Sequence, residues 1–145
     1  MAGTMFNKVL LPVDASEQSN RAVLKAAELA KAGMIGNIIL FNVYDSSDVD
    51  ITKLHNSDKL DELRAKSLVL LKQYQNILKE NQIECQLKRA GGDPAALILD
   101  VVENDKEFDL IILGSRKLNK FKELVLGSVT DKVTRLVDIP VFIVK

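Results

Sequence analysis

The sequence predicts a doubly wound α/β fold, with five parallel strands in one sheet and helices on both faces. Three observations carry that reading. Four short apolar runs, Val9-Leu10-Leu11-Pro12-Val13, Ile38-Ile39-Leu40-Phe41, Leu110-Ile111-Ile112-Leu113 and Val141-Phe142-Ile143-Val144, are continuous rather than alternating. Strands covered by helices on both faces read this way. Apolar residues at helical spacing fill the intervals between them. The resulting order, strand and helix in turn, means βαβ units and a parallel sheet.

Each element has its own signal. After the first strand, residues 17–32 place Ala22, Val23, Ala26, Ala27, Leu29 and Ala30 on one stripe, with Ser16 as N-cap and Gly33 as the stop. The second strand is Ile38–Phe41. The connection from Tyr44 to Asp61 holds five aspartates and no strand pattern, which predicts a mobile surface segment. Residues 58–80 then carry Leu60, Leu63, Leu70, Leu71, Tyr74, Ile77 and Leu78 at helical spacing. The third strand, Ile83–Arg89, alternates apolar and polar, as a half-exposed edge strand does. Asp93-Pro94 starts the next helix, since Asp caps and Pro fits the first turn. That helix runs through Leu97, Ile98, Val101 and Val102. Leu110–Leu113 is the fourth strand, and a long loop spans Gly114 to Gly127. The last helix follows Gly127-Ser128 with Val129, Val133, Leu136 and Val137 as its apolar face, and Pro140 opens the final strand.

Composition excludes several function classes. The 145 residues carry 20 Lys+Arg and 20 Asp+Glu, for a formal net charge of zero. A dedicated nucleic-acid binder draws most of its affinity from a basic excess, and a polybasic membrane-surface protein needs one too. With 47% hydrophobic residues and no net charge, the chain is not disordered. Its length suits a single domain over 1–145. One cysteine, Cys85, rules out a disulfide within the chain and fits a reducing cytosol. The N-terminal apolar run is broken by Pro12 and closed by Asp14, which does not read as a signal peptide. No stretch approaches the ~20 apolar residues of a membrane span. A cytoplasmic protein is expected.

In an open α/β sheet, ligands bind beyond the carboxyl ends of the strands, where strand order reverses. The loops after strands therefore matter most: Asp14-Ala15-Ser16, Val43-Tyr44-Asp45, Ala90-Gly91-Gly92-Asp93 and the loop from Gly114 to Gly127. The last loop ends with Gly127-Ser128 at a helix start, whose N–H groups and partial positive charge suit a phosphate. Residues 114–135 hold six basic residues and two acidic ones, a local balance of +4 within a neutral chain. An ordinary helix cap beside a solvated loop reads the same way, so both stay open at this point. Asp14 is a carboxylate placed to accept hydrogen bonds from a nucleobase or ribose, or simply to cap the first helix. The lone histidine, His55, has no partner pattern. Cys85 alternates with Ile83 and Leu87, which favours an apolar role over a reactive thiol. Asp45, Asp48 and Asp50 lack the glycine and terminal glutamate of a calcium loop.

The chain resembles the universal stress proteins over nearly its whole length. The resemblance rests on Lys8-Val9-Leu10-Leu11-Pro12-Val13-Asp14-Ala15-Ser16, on Gly92-Asp93-Pro94, on Asp109 through Arg116 and on Ile139 through Val144. It implies a Rossmann-like sheet in the order 3-2-1-4-5, of the kind shared with adenine nucleotide α-hydrolases. That order would bring the Asp14 and Gly114 loops to one crevice. ATP-binding members carry a Gly-x2-Gly-x9-Gly-Ser/Thr loop. Here Gly114, Gly127 and Ser128 match it at the right spacing, and Lys117 replaces the middle glycine. If that position needs a positive φ, lysine costs about 1 kcal/mol relative to glycine; its ammonium could also meet a phosphate. By resemblance, Pro12, Val13, Asp14 and Val43 surround adenine and ribose. Gly114, Arg116, Lys117, Gly127, Ser128 and Val129 surround the phosphates of ATP, which brings its magnesium ion. The family commonly dimerises through the last strand, and Val141–Val144 is an apolar edge that needs covering. The expected function is a homodimeric, ATP-binding protein of the stress response. The alternative is a dimeric scaffold or regulator that has lost the nucleotide, on account of Lys117. An enzyme, at most a slow ATPase, has little support, because a GxxxxGK[ST] loop and a general base near Gly114 to Ser128 are missing.

Overall fold

The computed structural model describes residues 3–46, 56–115, 117–118 and 124–145. In chain order the elements are β1 (Phe6–Pro12), α1 (Glu17–Lys31), β2 (Ile35–Tyr44), α2 (Asn56–Glu80), β3 (Cys85–Gly91), α3 (Pro94–Asn104), β4 (Leu110–Gly114), β5 (Lys117–Leu118), β6 (Leu124–Val125), α4 (Ser128–Leu136) and β7 (Val141–Val144). Five strands form one sheet in the order β3-β2-β1-β4-β7, and every pair in it is parallel. Counted along the five strands, that is the expected order 3-2-1-4-5. β1 sits in the middle, paired with β2 through Val9↔Ile38 and with β4 through Val9↔Leu110.

The sheet separates two apolar layers. Val9, Leu11, Leu40 and Ile112 pack with Ala22, Val23, Ala26, Leu71 and Leu78 of α1 and α2. Leu10, Phe41, Ile111 and Leu113 pack with Ile98 and Val102 of α3 and Val133 of α4. Successive residues of a strand point to opposite faces, so both faces being covered explains why the apolar runs are continuous. Leu10, Leu11, Leu40, Phe41, Ile111 and Ile112 are almost wholly buried. Each contributes about 1.5–3 kcal/mol through burial. β3 lies at the sheet edge, where Cys85 and Leu87 pack inward and Gln86 and Lys88 are exposed. Burial pushes the Cys85 thiol pKa up, which disfavours the thiolate.

Several boundaries differ from the sequence reading, each for a physical reason. β3 begins at Cys85, not Ile83, because Ile83 still belongs to the end of α2. Its N–H reaches Leu78 O at 2.9 Å while Gln82 turns with φ 62°. This is a Schellman closure with glutamine in the left-handed position usually held by glycine. β2 extends to Ile35–Tyr44, its early part hidden from the apolar count by Gly36 and Asn37. α2 starts at Asn56, so part of the predicted surface segment is helix; residues 47–55, with Asp48, Asp50 and His55, lie outside the described residues. The stretch read as one long loop contains an antiparallel pair, β5 with β6, through Lys117↔Val125 and Leu118↔Leu124. Two-residue strands are too short to leave a periodic signal. Among the described residues, no helix is long and apolar enough to cross a membrane.

Candidate functional site

Strand order reverses between β1 and β4, and a cleft of about 630 Å³ opens there beyond the carboxyl ends of the strands. Such a volume suits a small-molecule ligand. The β1–α1 loop forms one wall. Asp14 is held by local bonds: its Oδ1 accepts from the Ser16 N–H and the Ser19 hydroxyl, both at 2.9 Å, and its own N–H donates to Ser19 Oγ at 2.9 Å. Ser16 Oγ accepts the Ser19 N–H at 3.1 Å and so caps α1. The two sequence readings of this loop thus divide between two residues. Ser16 is the cap, and Asp14 shapes the turn while lining the cleft.

The opposite wall is β4 and the start of α4. Gly114 closes β4 against the first turn of α1. A Cβ there would lie 2.5 Å from the Gln18 carbonyl oxygen and 3.0 Å from Ser19 N, closer than real Cβ atoms come to backbone. Gly114 is therefore required by helix–strand packing, in addition to lining the cleft. α4 begins after Gly127, which offers no side-chain oxygen to the helix N–H groups. Thr130, almost wholly buried, donates its hydroxyl to Gly114 O at 3.3 Å and ties the start of α4 to the end of β4. The third wall is the β3–α3 turn. Gly92 has φ +146°, a conformation that side chains rarely adopt, and its N–H reaches Tyr44 O at 3.0 Å. Asp93 then caps α3 through Ala96 N–H at 2.9 Å, with Pro94 in the first turn.

The lining has a distinct character. Pro12, Val13, Phe41, Val43, Leu113 and Val129 give it apolar surface, while Asp14, Asp45 and Asp93 contribute carboxylates and no described lining residue is Lys or Arg. Behind the β1–α1 loop, Tyr74 of α2 donates its hydroxyl to Asp14 O at 2.6 Å. Burial, then the nearby Asp14 and Glu17 carboxylates, raise the Tyr74 phenol pKa. Among the described residues, no group of three or more His, Cys, Asp and Glu is arranged to hold a metal ion.

Of the residues expected at the site, Pro12, Val13, Asp14, Val43, Gly114 and Val129 line the cleft. Gly127 and Ser128 do not line it directly and sit just before Val129 at the start of α4. Lys117 is in β5, a ladder position that a lysine backbone adopts readily, so the cost that would follow from a positive φ does not arise there. Arg116 lies outside the described residues. The sequence reading missed Ser19, Phe41, Ser46, Pro94, Ile98, Leu113 and Thr130 as lining residues. Thr130 had a signal: it shares the helical stripe of Val133 and Val137, so its side chain had to turn inward.

The family model described as the universal stress protein family matches residues 5–145. The chain belongs to the universal stress protein family. Among the family's members, universal stress protein YxiE of Bacillus subtilis is 30% identical, with 97% of this chain and 100% of that protein covered. The solved structure of MJ0577, from Methanocaldococcus jannaschii, superposes with a TM-score of 0.81 at 25% identity, covering 98% of this chain and 97% of that one. A family protein from Arabidopsis thaliana, solved with AMP bound, has the same fold at a TM-score of 0.68 and 23% identity, covering 96% and 91%.

Proposed function

We propose that this universal stress protein binds an adenine nucleotide, ATP with its magnesium ion, in the cleft between β1 and β4, and acts without catalysis as a cytoplasmic homodimer in the stress response. The observation that carries the reading is the cleft itself. It lies at the strand-order reversal, and its wall carries six of the expected residues, Pro12, Val13, Asp14, Val43, Gly114 and Val129. Apolar Pro12, Val13 and Val43 suit a planar base, and the Asp14 carboxylate suits the donors of a base or ribose. The open start of α4 suits a phosphate, and the +4 balance of residues 114–135 adds to the attraction. That a protein of this fold holds AMP supports the adenine part. Sheet-edge β7, with Phe142 41% exposed, supports pairing of two copies through Val141–Val144. A monomer in sedimentation at micromolar concentration overturns the dimer.

One observation favours a second reading, a dimeric regulator without nucleotide. Lys117 stands where the family's ATP-binding loop has glycine, and it is paired with Val125 of β6. Calorimetric titration of ATP and magnesium into the native protein and into Lys117→Gly separates the two. Micromolar binding by the native protein supports the first reading. Binding by the glycine variant alone supports the second, and binding by neither overturns the nucleotide assignment.

A further inference from the structure

Two main-chain carbonyls of the β1–α1 loop are held by side chains of β2 and of α2, the helix that packs beside α1 on the same face of the sheet. Where the β1–β2 ladder ends, Asn42 Nδ2 donates to Val13 O at 2.8 Å. Asn42 Oδ1 in turn accepts the Ser67 hydroxyl of α2 at 2.6 Å. One residue further on, Tyr74 of α2 donates to Asp14 O at 2.6 Å. Asn42, Ser67 and Tyr74 are 6%, 3% and 6% exposed, so these are desolvated bonds between groups with little access to water. They are also long-range: the Tyr74 partner is 60 positions away in sequence. Asn42 interrupts the otherwise apolar Ile38–Val43 segment, a position where an apolar residue would pack with no need of a partner.

We propose that Asn42, Ser67 and Tyr74 are positioning residues that set Val13 and Asp14 for the ligand, making α2 the frame on which the nucleoside end of the cleft is built. This rests on the adenine-nucleotide reading of the cleft. The front of the loop is closed by its own short-range bonds among Asp14, Ser16 and Ser19. Those bonds close the turn; the two carbonyls behind, with the Val13 N–H bond to Phe41 O at 2.8 Å, hold it on the sheet, and a turn released from the sheet opens its own amides to water. Val13 and Asp14 both line the cleft, so a loop of correct shape and wrong placement would present them poorly.

The test uses Tyr74→Phe, which keeps the ring, Ser67→Ala, which leaves Asn42 Oδ1 without its donor, and Ser67→Thr, which restores a hydroxyl. Two quantities are read on the full chain: amide hydrogen exchange at Ser16 and Ser19 without ligand, and the Kd for ATP with magnesium. Tyr74→Phe and Ser67→Ala should speed exchange at both amides at least tenfold, with Ile98 of α3 unchanged, and weaken ATP binding at least fivefold. Ser67→Thr should stay within twofold of the native protein on both. Unchanged exchange overturns the proposal, as does faster exchange with unaltered affinity, or equal acceleration at Ile98. If the native protein binds no ATP, the nucleotide reading fails separately, and exchange at Ser16 and Ser19 alone supports or overturns the positioning role.

Discussion

Three helices begin at the cleft, and their first turns are closed in two ways. α1 and α3 are capped by side chains, Ser16 on Ser19 N–H and Asp93 on Ala96 N–H. α4 follows Gly127, which has nothing to offer. A helix start carries roughly half a positive charge and several N–H groups without helical partners. A side-chain oxygen satisfies one of those groups and partly cancels the charge. Capping is thus present where the cleft wall must be rigid and lacking where an incoming anion could take its place. The same contrast runs through the lining, with carboxylates beside α1 and α3 and glycine before α4.

The contrast can be tested by substitution. The largest effect is expected at the contact that brings α1 and β4 together. Gly114→Ala places a methyl against the Gln18 carbonyl and should cost about 3 kcal/mol, roughly 10 °C in Tm, read by thermal unfolding. A loss under about 1 kcal/mol would mean that these two walls separate easily. Next, Gly127→Asp gives α4 the cap it lacks. Asp caps at least as well as Gly, but the position is buried, so the desolvated carboxylate should leave a net loss of about 1–2 kcal/mol. ATP affinity should fall at least about tenfold, about 1.4 kcal/mol, with adenosine affinity little changed. An equal loss for adenosine would break the distinction between the two ends of the cleft. Ser16→Ala and Asp93→Ala should each cost about 1 kcal/mol in denaturant unfolding, as side-chain caps do.

The smallest effect is a pH dependence. Tyr74 has its phenol pKa raised above the ordinary value of 10.0 by burial and by Asp14 and Glu17. Above pH 10 the unfolded chain loses this proton first, so stability falls as pH rises toward the folded value. The contribution is complete below pH 10. Urea unfolding of the native protein and Tyr74→Phe between pH 9 and 11 should show the native curve falling more steeply. Parallel curves would remove Tyr74 as the cause.

The central strands were legible because burial on both faces left an unbroken apolar run in the middle of each, as in Leu110–Leu113. The ends were less so. Ile83 looks like strand by alternation and is taken by the helix closure at Gln82, a competition between local bonds that pattern alone does not resolve. β5 and β6 carry too few residues to show a period. At the site, Asp14, Val43 and Gly114 could be placed because topology puts strand ends together, while Pro12, Val13 and Val129 came from the family resemblance. Ser19 and Thr130 enter through helix first turns, whose orientation depends on packing against Gly114. Asn42 and Tyr74 were invisible for a different reason: their partners are main-chain carbonyls, which every residue has, and Ser67 acts only through the Asn42 side chain.

The pairing of β1 with β4 also bears on how the chain is made. β1 is synthesised first and lies in the middle of the sheet, yet Asn7 and Lys8 find the Asp109 carboxylate on the β4 side only 102 and 101 residues later. At about 5–20 residues per second, roughly 5–20 s of synthesis pass before that edge can be covered. For that interval Val9–Leu11 is a bare apolar strand edge, the kind that pairs with neighbouring chains. The nascent protein is exposed to misassembly on the side where the cleft between β1 and β4 will later form.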